Sequence, residues 1–173
     1  NFAIAFFKLG NLYVEIKEFN KAKESYQKAI NIRPELAGAQ NNLGLVFREL
    51  GDSQKAINCY KETIKINSNH AAAYNNLGRI YTELGEFNKA IESHQEAIRI
   101  EPDNLYHYFY LSELDKNFLD LELKKKIEKI IKKNNSSKGN NVFGNFLLSR
   151  YEKKKKNYKN EFEKLGKAHN FYF

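Results

Sequence analysis

Along residues 3–104 the apolar side chains return at steps of three and four, the period of one helical face. Phe6, Leu9, Gly10 and Tyr13 form one such stripe, and Ala22, Tyr26, Ala29 and Ile30 form the next. Charged and amide side chains fill the positions between, so the pattern predicts amphipathic helices and no strands. The pair then recurs. Leu9, Leu43 and Leu77 stand 34 residues apart, as do Gly10, Gly44 and Gly78, the aromatics Tyr13, Phe47 and Tyr81, and the alanines Ala22, Ala56 and Ala90. Residues 37–70 laid over 71–104 agree at 15 of 34 positions, and residues 3–36 fall into the same register. The prediction is an all-α chain whose repeating unit is a pair of helices, at 3–36, 37–70 and 71–104.

The glycines sharpen this prediction. A glycine inside a helix costs about 1 kcal/mol relative to alanine, so Gly10, Gly44 and Gly78 are expected to be offset by close approach of the second helix in each pair. The small Ala22, Ala56 and Ala90 are expected to meet them from the other side. Gly51 and Gly85 fall where the first helix should end, a position that favours a left-handed residue. Pro34 and Pro102 mark breaks between units.

An aromatic, two residues, Leu-Gly, two residues, an aromatic, then Ala, three residues, an aromatic and a Pro, at a period of 34, resembles the tetratricopeptide repeat (TPR) family. The departures are Gln40 for the first aromatic of the second unit, His94 for the second-helix aromatic of the third, Thr63 for a small alanine and Ser68 for the proline. The resemblance implies a right-handed superhelical solenoid of antiparallel helix pairs, with first helices lining a concave surface that holds a protein or peptide.

The period fades after Pro102, and residues 105–173 are expected to form a helical extension packed on the last repeat. Tyr108 and Leu111 fall in register, but Ser112 stands where glycine belongs and Asp115 where an aromatic belongs. Asp120 reads as the N-cap of a helix with Leu123, Ile127, Ile130 and Ile131 on one side. Residues 134–141 read as a surface loop. A degenerate pair is expected at about 142–171, with Phe146, Leu147 and Tyr151 on one helix and Tyr158, Phe162, Leu165 and Ala168 on the next. It has one extra residue in its turn, and Glu161 stands at the small-alanine position. This order resembles the N-terminal portion of bacterial TPR-sulfotransferase proteins, which implies a docking arm with a catalytic domain after Phe173. The chain has no methionine and closes on Phe171, Tyr172 and Phe173, so we expect a piece of a longer protein; self-association through exposed helical ends is a further expectation.

Composition narrows the function classes. No apolar run approaches the roughly 20 residues of a membrane-spanning helix, Cys59 is the single cysteine, and the four histidines lack metal-ligand spacing. A soluble protein of a reducing, cytoplasmic compartment is expected, without metal, cofactor or catalytic residues. The net charge of +8 is all C-terminal: residues 1–104 carry 13 basic and 13 acidic side chains, residues 105–173 carry 16 and 8. The lysines crowd 124–133 and 153–156 without clustered arginine or interleaved aromatics, so solvated helix faces are expected in preference to a nucleic-acid site.

By the family resemblance, the groove is lined by Lys8, Asn42 and Asn76, then Asn11, Leu45 and Arg79, with Val14, Arg48, Thr82 and the recurrent Glu15, Glu49 and Glu83 further along. The candidate peptide-binding residues are therefore Lys8, Asn11, Glu15, Asn42, Arg48, Glu49, Asn76, Arg79 and Glu83. An amide offers donor and acceptor together, and Asn42 and Asn76 resemble the asparagine ladder of the O-linked N-acetylglucosamine transferases, which grips a peptide backbone. The other reading is that these asparagines belong to a common repeat sequence and face water. A carboxylate clamp of the co-chaperone kind is excluded: Asn11 and Asn42 match its amides, but Phe7, Ala72 and Asn76 stand where its cations are required. Cys59 and His94 read as packing residues, and the three repeated glutamates as surface charges.

Overall fold

The computed structural model describes residues 2–115, 117–133 and 136–172, the side chains of 171 and 172 excepted. Among them are ten helices and no strand, so the fold is an all-α helical repeat. By contact the chain separates into two compact units, residues 1–93 and 94–173.

The first unit holds α1 (Phe2–Glu15), α2 (Phe19–Ile32), α3 (Ala37–Glu49), α4 (Ser53–Ile66), α5 (Ala71–Glu83) and the first half of α6 (Phe87–Ile100). Helix α1 packs on α2 and α3 on α4, while α2 lies against α3 and α4 against α5. The glycines allow this closeness, as expected. A Cβ placed on Gly10 would fall 2.5 Å from Cε1 of Tyr26, and one on Gly44 would fall 2.6 Å from Cε1 of Tyr60. Both tyrosine rings are buried, as are Ala22, Ala56 and Ala90. Each pair also carries a lysine ammonium over its aromatic: Lys21 over Tyr13, Lys55 over Phe47 and Lys89 over Tyr81, at 5.8, 5.6 and 5.4 Å.

One turn recurs between paired helices. Lys17, Gly51 and Gly85 have φ of 60°, 80° and 74°. The amides of Glu18, Asp52 and Glu86 each donate to the carbonyl five residues back, and those of Lys17, Gly51 and Gly85 to the carbonyl three back, which is the Schellman closure. A side chain in the left-handed region costs roughly 1–2 kcal/mol. We expect Gly51→Ala to lower stability by about 1 kcal/mol and Lys17→Gly to raise it by up to about 1 kcal/mol, the gain being trimmed by the freer unfolded chain. Urea unfolding of the two variants checks this, and a destabilised Lys17→Gly would refute the strain argument.

The second unit continues α6 and adds α7 (Leu105–Leu114), α8 (Leu121–Lys132), α9 (Lys138–Lys154) and α10 (Tyr158–Tyr172). Leu105 and Tyr108 of α7, Ile127 and Ile130 of α8, and Leu147, Leu148 and Tyr151 of α9 form its core. Asp120 caps α8 as expected, its Oδ1 accepting from the Leu123 amide at 2.7 Å. Two expectations are corrected here. Residues 138–141 are the first turn of α9, because the Ser137 side chain caps it and accepts from the Asn140 amide at 3.1 Å; residues 134 and 135 lie outside the described residues. The α9–α10 turn carries no extra residue. Three residues join these helices, as in the regular pairs, and Lys156 repeats the left-handed closure with φ 57°. Aligned on that turn, Leu148 and Ser149 stand at the Leu-Gly positions and Glu152 at the aromatic one. The terminal aromatic side chains Phe171, Tyr172 and Phe173 lie outside the described residues.

Candidate functional site

The regular pairs place the candidate groove residues on the first helices α1, α3 and α5. The asparagines there hold one another. Asn76 Nδ2 donates to Asn41 Oδ1 at 3.1 Å, Asn41 Nδ2 to Asn42 Oδ1 at 3.2 Å, and Asn42 Nδ2 to Asn11 Oδ1 at 3.0 Å. Tyr26, on the second helix, donates to the same Asn11 oxygen at 2.8 Å. The result is a relay of amides across three successive first helices.

The relay decides what each amide has left. Asn11 Oδ1 receives two donors and is saturated, so the group it can still offer a partner is its NH2. Asn42 keeps one N–H and one lone pair. Asn11 and Asn42 are half-buried, whereas Asn76 is buried and bonds Asn41 instead of standing free beside Asn42. Asn41 was not among the predicted site residues. The only signal was the Asn-Asn doublet at 41–42 and 75–76, which gave no means of telling which member of each doublet faces inward.

Arg48 and Glu49 are joined, Nη2 to Oε1 at 2.8 Å, and this bond with the nearby charges of Glu49 and Glu83 holds the guanidinium's proton more tightly despite its partial burial. Arg79 is half-buried and its charge reaches the Tyr60 phenol. Lys8, Glu15, Glu49 and Glu83 are exposed. The candidate set thus falls into an amide cluster (Asn11, Asn42, Asn76) and a compensated charge cluster (Arg48, Glu49, Arg79, Glu83), with Lys8 and Glu15 at the α1 margin.

Tyr60 shows how a repeat departs from its neighbour. It stands 34 residues after Tyr26, but Leu45 occupies the position of Asn11 and cannot accept a hydrogen bond. The Tyr60 hydroxyl is buried with no hydrogen-bond partner among the described residues, and burial pushes its pKa up. Cys59 beside it is buried, and its thiol is pushed up to about 11 by burial, which keeps it protonated and inert at neutral pH. His94 is buried and stacks on Tyr110 with ring centroids 5.7 Å apart and planes at 11°, a packing role. Among the described residues, no group of three or more metal-ligating side chains comes together, and no helix is long and apolar enough to cross a membrane.

Comparison with known proteins agrees with this architecture. Family models described as "Tetratricopeptide repeat" and "TPR repeat" match residues 35–102 and 10–51. No curated protein matches the sequence. Among solved structures, MamA superposes with a TM-score of 0.63 at 28% identity, over 89% of this chain and 81% of its own. The Arabidopsis OM64 TPR domain gives 0.63 at 25% identity, over 66% and 95%. The first TPR of Spaghetti (RPAP3), bound to the HSP90 peptide SRMEEVD, gives 0.64 at 18% identity, over 66% and 91%, a likeness of fold alone. With the recurring glycine–tyrosine interlock, the repeated turn closure and the family models that together run from residue 10 to 102, the chain belongs to the tetratricopeptide-repeat family, whose fold is that of a protein-interaction scaffold.

Proposed function

We propose that this chain is a non-catalytic scaffold of a reducing, cytoplasmic setting that binds an extended peptide or protein segment along α1, α3 and α5, within repeats at 3–36, 37–70 and 71–104. Residues 105–173 serve as its helical extension. The observation that carries the reading is the saturation of Asn11 Oδ1, which leaves amide N–H groups of Asn11 and Asn42 to meet the carbonyls of a partner backbone. Arg48, Glu49, Arg79 and Glu83 balance one another in charge, so this part of the groove favours neutral main-chain contacts over a strongly charged segment, with Lys8 and Glu15 at one margin and Asn76 buttressing from beneath.

Selection from a library of capped random decapeptides should yield binders, and Asn42→Ala with Asn76→Ala should weaken the best of them at least tenfold, about 1.4 kcal/mol. Because both amides also link helices, thermal melts must show the variant folded. Unchanged affinity in a folded variant, or a library without binders, would sink the groove assignment. The peptide SRMEEVD is expected not to bind, since Phe7, Ala72 and Asn76 occupy the positions of the clamp cations.

A further inference from the structure

The side-chain chemistry of the first helices changes where the regular repeats give way to the extension. In the register of the Leu-Gly positions, Phe109 and Tyr110 of α7 stand where α5 carries Asn75 and Asn76, and Phe146 of α9 stands at the Asn75 position again. Tyr106 and Phe143 both fall at the position of Ala72. Five aromatic rings thus take the places of amides and a small side chain.

Packing of α7 on α9 joins these rings into one face of the second unit, on helices that lie inside it, α7 following α6 and α9 preceding α10. The Tyr106 centroid lies 4.9 Å from that of Tyr110 and 4.9 Å from that of Phe143, while Phe109 lies 5.3 Å from Phe143 and 6.0 Å from Phe146. The planes of these pairs meet at angles between 57° and 79°, so the rings form ridges and troughs and not a stacked slab. All five are half-buried. Arg150 lies 4.1 Å over Phe109 and donates to the Phe109 carbonyl at 3.1 Å, Ser112 Oγ at 2.7 Å and Glu113 Oε1 at 2.8 Å. The cation that such rings attract is therefore supplied from within, with its counter-charge beside it, and the face does not select for a charged partner.

Hydrogen bonding narrows the partner further. An extended segment laid on asparagines can pair both its N–H and its C=O groups. Laid on these rings, its N–H groups would leave water and meet carbon, and each donor left unpaired weakens binding. Proline has no N–H to lose. A proline-rich chain is also extended beforehand without internal hydrogen bonds, and its rings suit aromatic-lined grooves. We propose that the face built by Tyr106, Phe109, Tyr110, Phe143 and Phe146 docks a proline-rich segment in the polyproline II conformation. It shares no residue with the amide groove of α1, α3 and α5 and stands independently of it.

The test is fluorescence anisotropy of labelled, capped decaproline titrated with the full chain to about 1 mM, a range in which even weak docking saturates visibly. Saturable binding is expected, with at least tenfold weaker binding of a capped decamer of alternating Gly and Ser. Alanine in place of two central prolines should weaken the peptide more than N-methylalanine does, since only alanine restores the N–H. In the protein, Phe146→Leu keeps apolar bulk without the ring and Tyr106→Ala removes a second one. Each should weaken decaproline about tenfold in a chain that melts like the wild type, while Asn42→Ala with Asn76→Ala should leave it unchanged. The peptide series decides the matter even where a ring variant fails to fold. Absence of saturation, equal affinity for the Gly-Ser decamer, alanine and N-methylalanine peptides that bind alike, folded ring variants of unchanged affinity, or loss of binding in the folded asparagine variant would each overturn the proposal.

Discussion

Tyr60→Ala is expected to lower the unfolding free energy of the first unit by about 4 kcal/mol, in the range measured for removing a buried aromatic. The ring is fully buried and occupies the notch opened by the missing side chain of Gly44, where a Cβ would lie 2.6 Å from Cε1, 2.9 Å from Cδ1 and 3.1 Å from Cβ of Cys59. A rigid ring held on all sides cannot yield by several tenths of an ångström, so the interlock has a second signature. Gly44→Ala gains about 1 kcal/mol of helix propensity but overpacks the notch at a cost of about 1–3 kcal/mol, and it should destabilise on balance. In the double variant the added methyl enters space the tyrosine has left, so the combined loss should be smaller than the two single losses together. Tyr60→Phe separates ring from hydroxyl. With no acceptor for the phenol, its removal should be neutral or mildly stabilising, since it deletes a buried unsatisfied donor. Denaturant unfolding followed by circular dichroism reads all four, and strict additivity of Gly44→Ala with Tyr60→Ala would refute the interlock.

That interlock was legible in the sequence because it is local: a glycine and an aromatic separated by one short turn, repeated at a fixed period. The relay Asn76–Asn41–Asn42–Asn11 was less so. Asn42 and Asn11 were expected on one face of the first helices, but the bond from Asn76 to Asn41 depends on the stagger of successive first helices, which no spacing within one repeat reveals. Residues 138–141 were misread for a different reason. Lys-Gly-Asn-Asn has poor helix propensity, yet Asn140 bridges α9 to the start of α7, its Oδ1 accepting from the Leu105 amide at 2.9 Å and its Nδ2 donating to the Asp103 carbonyl at 2.9 Å. Tertiary bonds of that kind override local preference. The register of the last pair was missed by one residue because Glu152 stands where the repeats carry an aromatic. A carboxylate on the buried side of a helix makes sense only once its partner is known, and that partner, Lys124, lies 28 residues away in a lysine run that reads as solvated surface.

Breaking the Lys124–Glu152 pair should cost the second unit about 2–3 kcal/mol at neutral pH, the scale of a hydrogen bond to a charged group that is removed from one side. The Glu152 side chain is buried; Lys124 Nζ donates to its Oε1 at 2.7 Å and lies 4.8 Å from the centre of the Tyr151 ring, while Asn157 Nδ2 donates to Oε2 at 3.0 Å. The hydrogen bond from Lys124 outweighs burial and holds the Glu152 carboxyl below its ordinary value of 4.5. The folded state therefore binds this proton less readily than the unfolded chain. The stabilisation is fully present above about pH 4.5 and is lost as the pH falls through the lower folded value. Glu152→Gln should consequently be least distinguishable from wild type in acid and most destabilised near neutrality. Lys124→Met has the opposite slope. It strands a buried carboxylate without its cation, so burial raises the carboxyl's pKa, and the variant should recover part of its lost stability on mild acidification as Glu152 takes up a proton. Urea unfolding at a series of pH values distinguishes the two variants. Parallel pH profiles would show that the carboxylate is supported by solvent, Asn157 and Asn160 without the lysine, and that Lys124 belongs to the solvated face after all.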